Sequence, residues 1–109
     1  MKLTYAIKYV ADMDKAIAFH RDTLGLTLKF QSPFWSEFDT GATTLALHAA
    51  SPDHPAGNVQ LGFGTDDLAA FYEAREANGI TFTQAPTPMH GVDIARFLDC
   101  EAAETSVSG

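Results

Sequence analysis

The chain is short of cysteine, of positive charge and of long apolar runs, and each shortage closes off a class of function. A single cysteine, Cys100, rules out an internal disulfide. It lies in an apparent turn beside acidic residues, which disfavour the thiolate, so a catalytic thiol is not expected there and a reducing cytoplasm is the expected compartment. Seven Lys and Arg face fourteen Asp and Glu, for a formal net charge of -7. A nucleic-acid partner is therefore excluded, because phosphate-backbone binding needs clustered basic surface and these cations are few and scattered. No apolar run approaches the roughly 20 residues of a membrane helix. The opening "MKLTYAIKYV" alternates like a strand and lacks the apolar block of a signal peptide. There is also no phosphate-binding loop, no nucleophile elbow and no dinucleotide fingerprint. "GFGTDD" fails as one because its glycines sit within a strand pattern.

What is present suits one folded domain: 109 residues, 46% of them hydrophobic. Strand and helix periods alternate along it. Leu3 to Val10 reads as a strand with Leu3, Tyr5, Ile7 and Tyr9 on one face. Asp12 is placed to cap a helix running to about Leu24, with Met13, Ile17, His20 and Leu24 as its inner stripe and Gly25 closing it. "LTLKF", "WSEF" and "TTLALH" follow as three strands. After "AASPDHPAG" the plan restarts. "NVQLGFGT" is a strand, and Asp67 caps a helix through Asn78 with Leu68, Phe71, Tyr72 and Arg75 inward. Then come "ITFTQ", a Pro-rich loop, "VDIARFLD" and "ETSVS". The two halves align at a constant offset, Tyr5 with Gln60, Val10 with Thr65 and Asp12 with Asp67, so the chain is an internal repeat.

"VADMDKAIAFHRDTLGL", "FGTDDLAAFYEAREANGI" and "GVDIARFLDCEA" carry a resemblance that spans nearly the whole chain. The first is similar to V-x-D-x-x-x-(S/A)-x-x-F-Y-x-x-x-L-G-(F/L), with His20 in place of the tyrosine. The last is similar to G-x-x-x-x-F-x-D-P-(D/E)-G-N. By these motifs the chain resembles the vicinal-oxygen-chelate superfamily of glyoxalase I, bleomycin- and fosfomycin-resistance proteins, extradiol dioxygenases and methylmalonyl-CoA epimerase. The resemblance implies an α+β fold of two βαβββ modules, about 1–50 and 58–109, whose curved sheets form a cleft. It also implies a small-molecule ligand and a homodimer.

Metal-dependent members of that superfamily hold one divalent ion with His or Gln from the first strand of each module and Glu from the last. Carried over, those positions fall at Tyr5, Gln60, Ala46 and Ser106. Gln60 is a permitted ligand, Tyr5 an unusual one, and Ala46 and Ser106 remove the carboxylates that neutralise and orient an ion. A two-residue slip would substitute His48 and Glu104, which lie on the same strand faces. Two readings stay open. In one, Tyr5, Trp35, His48, Gln60 and Glu104 line a cleft that binds a small molecule, aromatic ligands among the candidates, with no metal. In the other, His48, Gln60 and Glu104 hold a displaced divalent ion (nickel, zinc, manganese or iron) for lyase, isomerase, epimerase or dioxygenase chemistry.

Each of these residues also has a plainer explanation. His48 ends an apolar strand and can simply reach solvent, Glu104 follows a turn, and Gln60 can hydrogen-bond within the protein. Trp35, with Phe34 and Phe38 beside it, is equally a core residue, depending on which strand face it occupies. His20 on the helix stripe is expected to be a core histidine, and His54 and His90 are loop residues.

Overall fold

The computed structural model describes residues 1–109. Its elements are β1 (Lys2–Val10), α1 (Met13–Ala18), β2 (Thr27–Phe30), β3 (Trp35–Asp39), β4 (Thr44–Ala49), β5 (Val59–Gly64), α2 (Leu68–Glu73), β6 (Phe82–Met89), β7 (Val92–Leu98) and β8 (Glu104–Ser108). The order is βαβββ, twice, in an α+β fold. No helix is long and apolar enough to cross a membrane. The chain divides into two compact units, Thr4–Gln60 and Leu61–Gly109 with Met1–Leu3. The first unit takes in the loop after β4 because that loop is bonded back to β1: Ala50 N–H donates to Val10 O at 2.8 Å and Gly57 N–H to Tyr9 O at 2.9 Å.

Both units have the same topology. In the first the strand order is β2-β3-β4-β1, with β1 and β4 parallel and the other pairs antiparallel. In the second it is β5-β8-β7-β6, with β5 and β8 parallel. Strand side chains alternate, so each unit presents one sheet face to its helix. Ile17 of α1 packs with Phe38 and Leu47, backed by Val10, Met13, Leu28 and Leu45. In the second unit Leu68 of α2 packs with Ala95 and Val107, backed by Phe63, Phe71, Phe82 and Phe97.

The helices start where their caps say and end earlier than the periodicity predicts. Asp12 accepts from Lys15 N–H at 3.1 Å, and Asp67 from Ala70 N–H at 3.0 Å. After Ala18 the first helix widens into a π turn, Phe19–Thr23, with Leu24 N–H bonded to Phe19 O at 3.1 Å. The extra residue in that turn breaks the four-residue return to the inner face. Leu24, expected on the stripe, is consequently 53% exposed, while Ile17 and His20 stay buried. His20 is the expected core histidine: its Nδ1 sits 2.7 Å from the Ala16 carbonyl and its ring lies beside Phe38.

The second helix stops at Glu73 rather than Asn78. Arg75 folds back, donating from Nη1 to Tyr72 O at 3.0 Å, with its guanidinium 4.1 Å from the Tyr72 ring centre. Its own N–H closes a tight turn onto that same carbonyl. The expected Pro-rich loop after "ITFTQ" is instead the continuation of β6. Pro86 and Pro88 are tolerated because β6 ends the strand order of its unit and carries two register shifts. His90, at φ 53, and Gly91, at φ 86, make the two-residue turn from β6 to β7, the mirror-image geometry that suits a hairpin.

Candidate ligand-binding site

The unit Thr4–Gln60 gathers aromatic side chains on the sheet face turned away from α1. The register sets Tyr9 opposite His48 and Ile7 opposite Ala46, while β3 places Trp35 beside His48 and Glu37 beside Ala46. Ile7, Tyr9 and Ala46 form the buried centre of this face, with Tyr5, Trp35 and Ala50 packed against it. Trp35 therefore lies opposite the helix-side core, the choice that sequence left open. Phe38 goes to that core and is fully buried, and Phe34 is 72% exposed.

Five rings run in unbroken contact across the face. Tyr5 and Trp35 have centroids 5.9 Å apart, Trp35 and His48 meet edge to face at 5.9 Å, His48 and Tyr9 lie at 5.0 Å, and Tyr9 stacks on His54 at 4.7 Å and 15°. These separations fall in the range of favourable aromatic pairing. Polar groups fix the rings. The Trp35 indole donates to Glu37 Oε2 at 2.7 Å. Lys29 Nζ donates to Thr44 Oγ1 at 2.8 Å and lies 3.9 Å from Glu37 Oε1. The Tyr9 hydroxyl donates to Gln60 Oε1 at 2.6 Å, a buried bond between two side chains. His48 Nδ1 lies 2.8 Å from Ala49 O. With the proton on Nδ1, the other ring nitrogen is an acceptor. Burial, aided by the nearby Glu37 carboxylate, pushes the Tyr5 hydroxyl above its ordinary pKa and keeps it a neutral donor.

Of the residues singled out from sequence, Tyr5, Trp35 and His48 come together on this face, and Gln60 joins it through Tyr9. Glu104 belongs to the other unit, where its Oε2 accepts from the Thr83 hydroxyl at 2.9 Å. Glu37, Tyr9 and His54 were not among the expected site residues. For Tyr9 and Glu37 the signal was present, since both share strand parity with Tyr5 and Trp35. His54 sits in a loop, and nothing in "SPDHPAG" indicates a stack. His90 is exposed and serves the β6–β7 turn.

The residues present do not fit a divalent ion. No three His, Cys, Asp or Glu side chains gather in a group able to hold one. Ala46, at one family carboxylate position, is a fully buried methyl, and Ser106, at the other, has its hydroxyl 3.5 Å from the Leu61 carbonyl. Of the slipped set, Gln60 Oε1 accepts from the Tyr9 hydroxyl and Glu104 Oε2 from the Thr83 hydroxyl. Two surface hollows, of about 360 and 550 Å³, open at the starts of α2 and α1 and are lined by none of the five rings.

Residues 2–101 match the Glyoxalase/Bleomycin resistance protein/Dioxygenase superfamily. The chain belongs to that superfamily. An uncharacterized Bacillus subtilis protein, YurT, is 31% identical to it over 116 aligned positions that span 91% of each chain. Among solved structures, a hypothetical protein from Bacillus halodurans superposes with a TM-score of 0.84 at 15% identity, covering 98% of this chain and 92% of that one. Methylmalonyl-CoA epimerase from Mycobacterium tuberculosis superposes with a TM-score of 0.78 at 19% identity, covering 98% and 86%. At these identities the structural matches establish a shared superfamily fold. They do not fix the chemistry, because one fold hosts many activities.

Proposed function

We propose that this superfamily member binds a small, flat aromatic molecule on the ring-lined face of Thr4–Gln60, without a metal. The observation that carries this reading is the run of five rings from Tyr5 to His54, held by hydrogen bonds from Trp35 to Glu37 and from Tyr9 to Gln60. Stacking surface with a few oriented polar groups is the composition of a small-molecule site. Trp35 and Tyr5 supply the faces. The Tyr5 hydroxyl and the His48 acceptor nitrogen supply directional bonds, and Gln60 steadies Tyr9. Ala46 suits this role as well: a glutamate there would project a buried charge into the middle of the rings, at a desolvation cost a neutral ligand could not offset.

Metal content after purification without chelator, followed by titration with nickel, zinc, manganese and iron(II), tests the metal-independent part. The expected result is no stoichiometric ion. Tight one-to-one binding that disappears in a His48→Ala, Glu104→Ala double variant would replace this reading with the displaced-metal enzyme.

A further inference from the structure

In the unit Leu61–Gly109 the sheet face opposite α2 is of another kind. Gly62 pairs with Ser106, Ser106 with Arg96 and Arg96 with Gln84, so these four stand in one row across β5, β8, β7 and β6. The alternate residues Phe63, Val107, Ala95 and Phe97 belong to the α2-side core, which places the row on the open face. Gly62 has no side chain and Ser106 a short one, so the row has little bulk beside its guanidinium.

Arg96 is half-buried and has no carboxylate within ion-pair distance. In a protein with twice as many acidic as basic residues, a partly desolvated guanidinium left without a carboxylate stands out. The neutral members of the row are loosely held. Gln84 Nε2 donates to Ile94 O at 3.3 Å and the Ser106 hydroxyl to Leu61 O at 3.5 Å, both near the limit of a hydrogen bond and easily redirected. Glu104 lies one step along the same face, paired with Leu98, and accepts from Thr83. The other cation of Leu61–Gly109, Arg75, is engaged with Tyr72.

We propose that Arg96, with Ser106 and Gln84, forms an anion subsite for a carboxylate-bearing small molecule. A planar carboxylate matches the guanidinium fork bidentately, and the hydroxyl and amide supply further donors. One free cation with Glu104 nearby favours a single negative charge over a dianion such as phosphate at alkaline pH. The subsite uses none of the aromatic-face residues, so it stands or falls apart from ligand binding on the aromatic face.

The test follows the Arg96 side-chain Nε–H resonance of the full chain during separate titrations with propionate and with inorganic phosphate at pH 8. Saturable millimolar binding of propionate, weaker binding of phosphate, and loss of the propionate response in Arg96→Met support the subsite. Arg96→Lys should weaken binding while keeping the charge, and Glu104→Gln should tighten it about threefold by removing a like charge. An Arg96 resonance that does not move with propionate overturns the proposal. So does propionate binding undiminished in a folded Arg96→Met variant, or a preference for phosphate.

Discussion

Trp35 shows how one side chain acquires a role from two neighbours. Its ring packs between Tyr5 and His48, and its indole N–H is anchored on Glu37, which Lys29 approaches from the other side. If Glu37 fixes the indole plane, Glu37→Gln should keep aromatic binding near the parent level, since an amide oxygen still accepts. Glu37→Leu should weaken it severalfold and lower the fluorescence anisotropy of Trp35, the chain's one tryptophan. Equal losses in both variants would assign Glu37 a charge role instead.

Tyr5 makes a second prediction at this scale. Its phenol holds its proton above the ordinary value, first through burial and second through Glu37. At alkaline pH the folded state therefore binds more protons than the unfolded one. The resulting stability is fully present below the unfolded tyrosine value of roughly 10 and is lost as pH rises through the higher folded value. Urea denaturation at rising alkaline pH should show a decline in stability that is shallower in Tyr5→Phe, and identical slopes would contradict the assignment.

Among the elements, the turn from β7 to β8 is the place where this chain departs most visibly from its family's motif. Asp99 Oδ1 gathers the N–H groups of Glu101 and Ala103 at 2.8 and 2.9 Å, and Ala102, where the motif has glycine, sits at φ 58. A left-handed alanine costs about 1–2 kcal/mol, and a glycine gives back roughly 0.4–1 kcal/mol through the looser unfolded chain. Ala102→Gly should thus stabilise by about 0.5–1 kcal/mol, read from the urea midpoint; a destabilised variant would contradict the conformation. Elements with a strict period were legible in advance: the alternation of β1, β4 and β8, and the caps Asp12 and Asp67. The missed ends have local causes that no period encodes. The π turn after Ala18 moves Leu24 outward, the fold-back of Arg75 shortens α2, and an edge position admits Pro86 and Pro88 into β6.

Across the whole molecule, the repeat was written in the sequence and recurs as two units of one topology. The candidate site was legible only in part. Strand parity put Tyr5, Ile7 and Tyr9 together, but which face of β3 carries Trp35 depends on its pairing with β4. Glu37 and His54 gain meaning only through partners far apart in sequence. The two units are also differently furnished, rings on the open face of one and a Gly-Ser-Arg-Gln row on that of the other. The helix-side cores of both units are apolar, while their opposite faces carry different chemistry. At Ala46 and Ser106, the positions that correspond to the glutamates of metal-dependent superfamily members, this chain has a methyl and a hydroxyl.

The most direct test uses Trp35 as its own reporter. Tryptophan emission is followed while a panel of flat aromatic compounds is titrated into the full chain in excess chelator, with Tyr5→Ala as control. The aromatic-face reading predicts saturable quenching by at least one compound in chelator, weakened about tenfold or more when the Tyr5 ring is removed, in line with the roughly 1–3 kcal/mol a stacked ring contributes. Quenching that requires an added divalent ion, or that is unchanged in Tyr5→Ala, would contradict it.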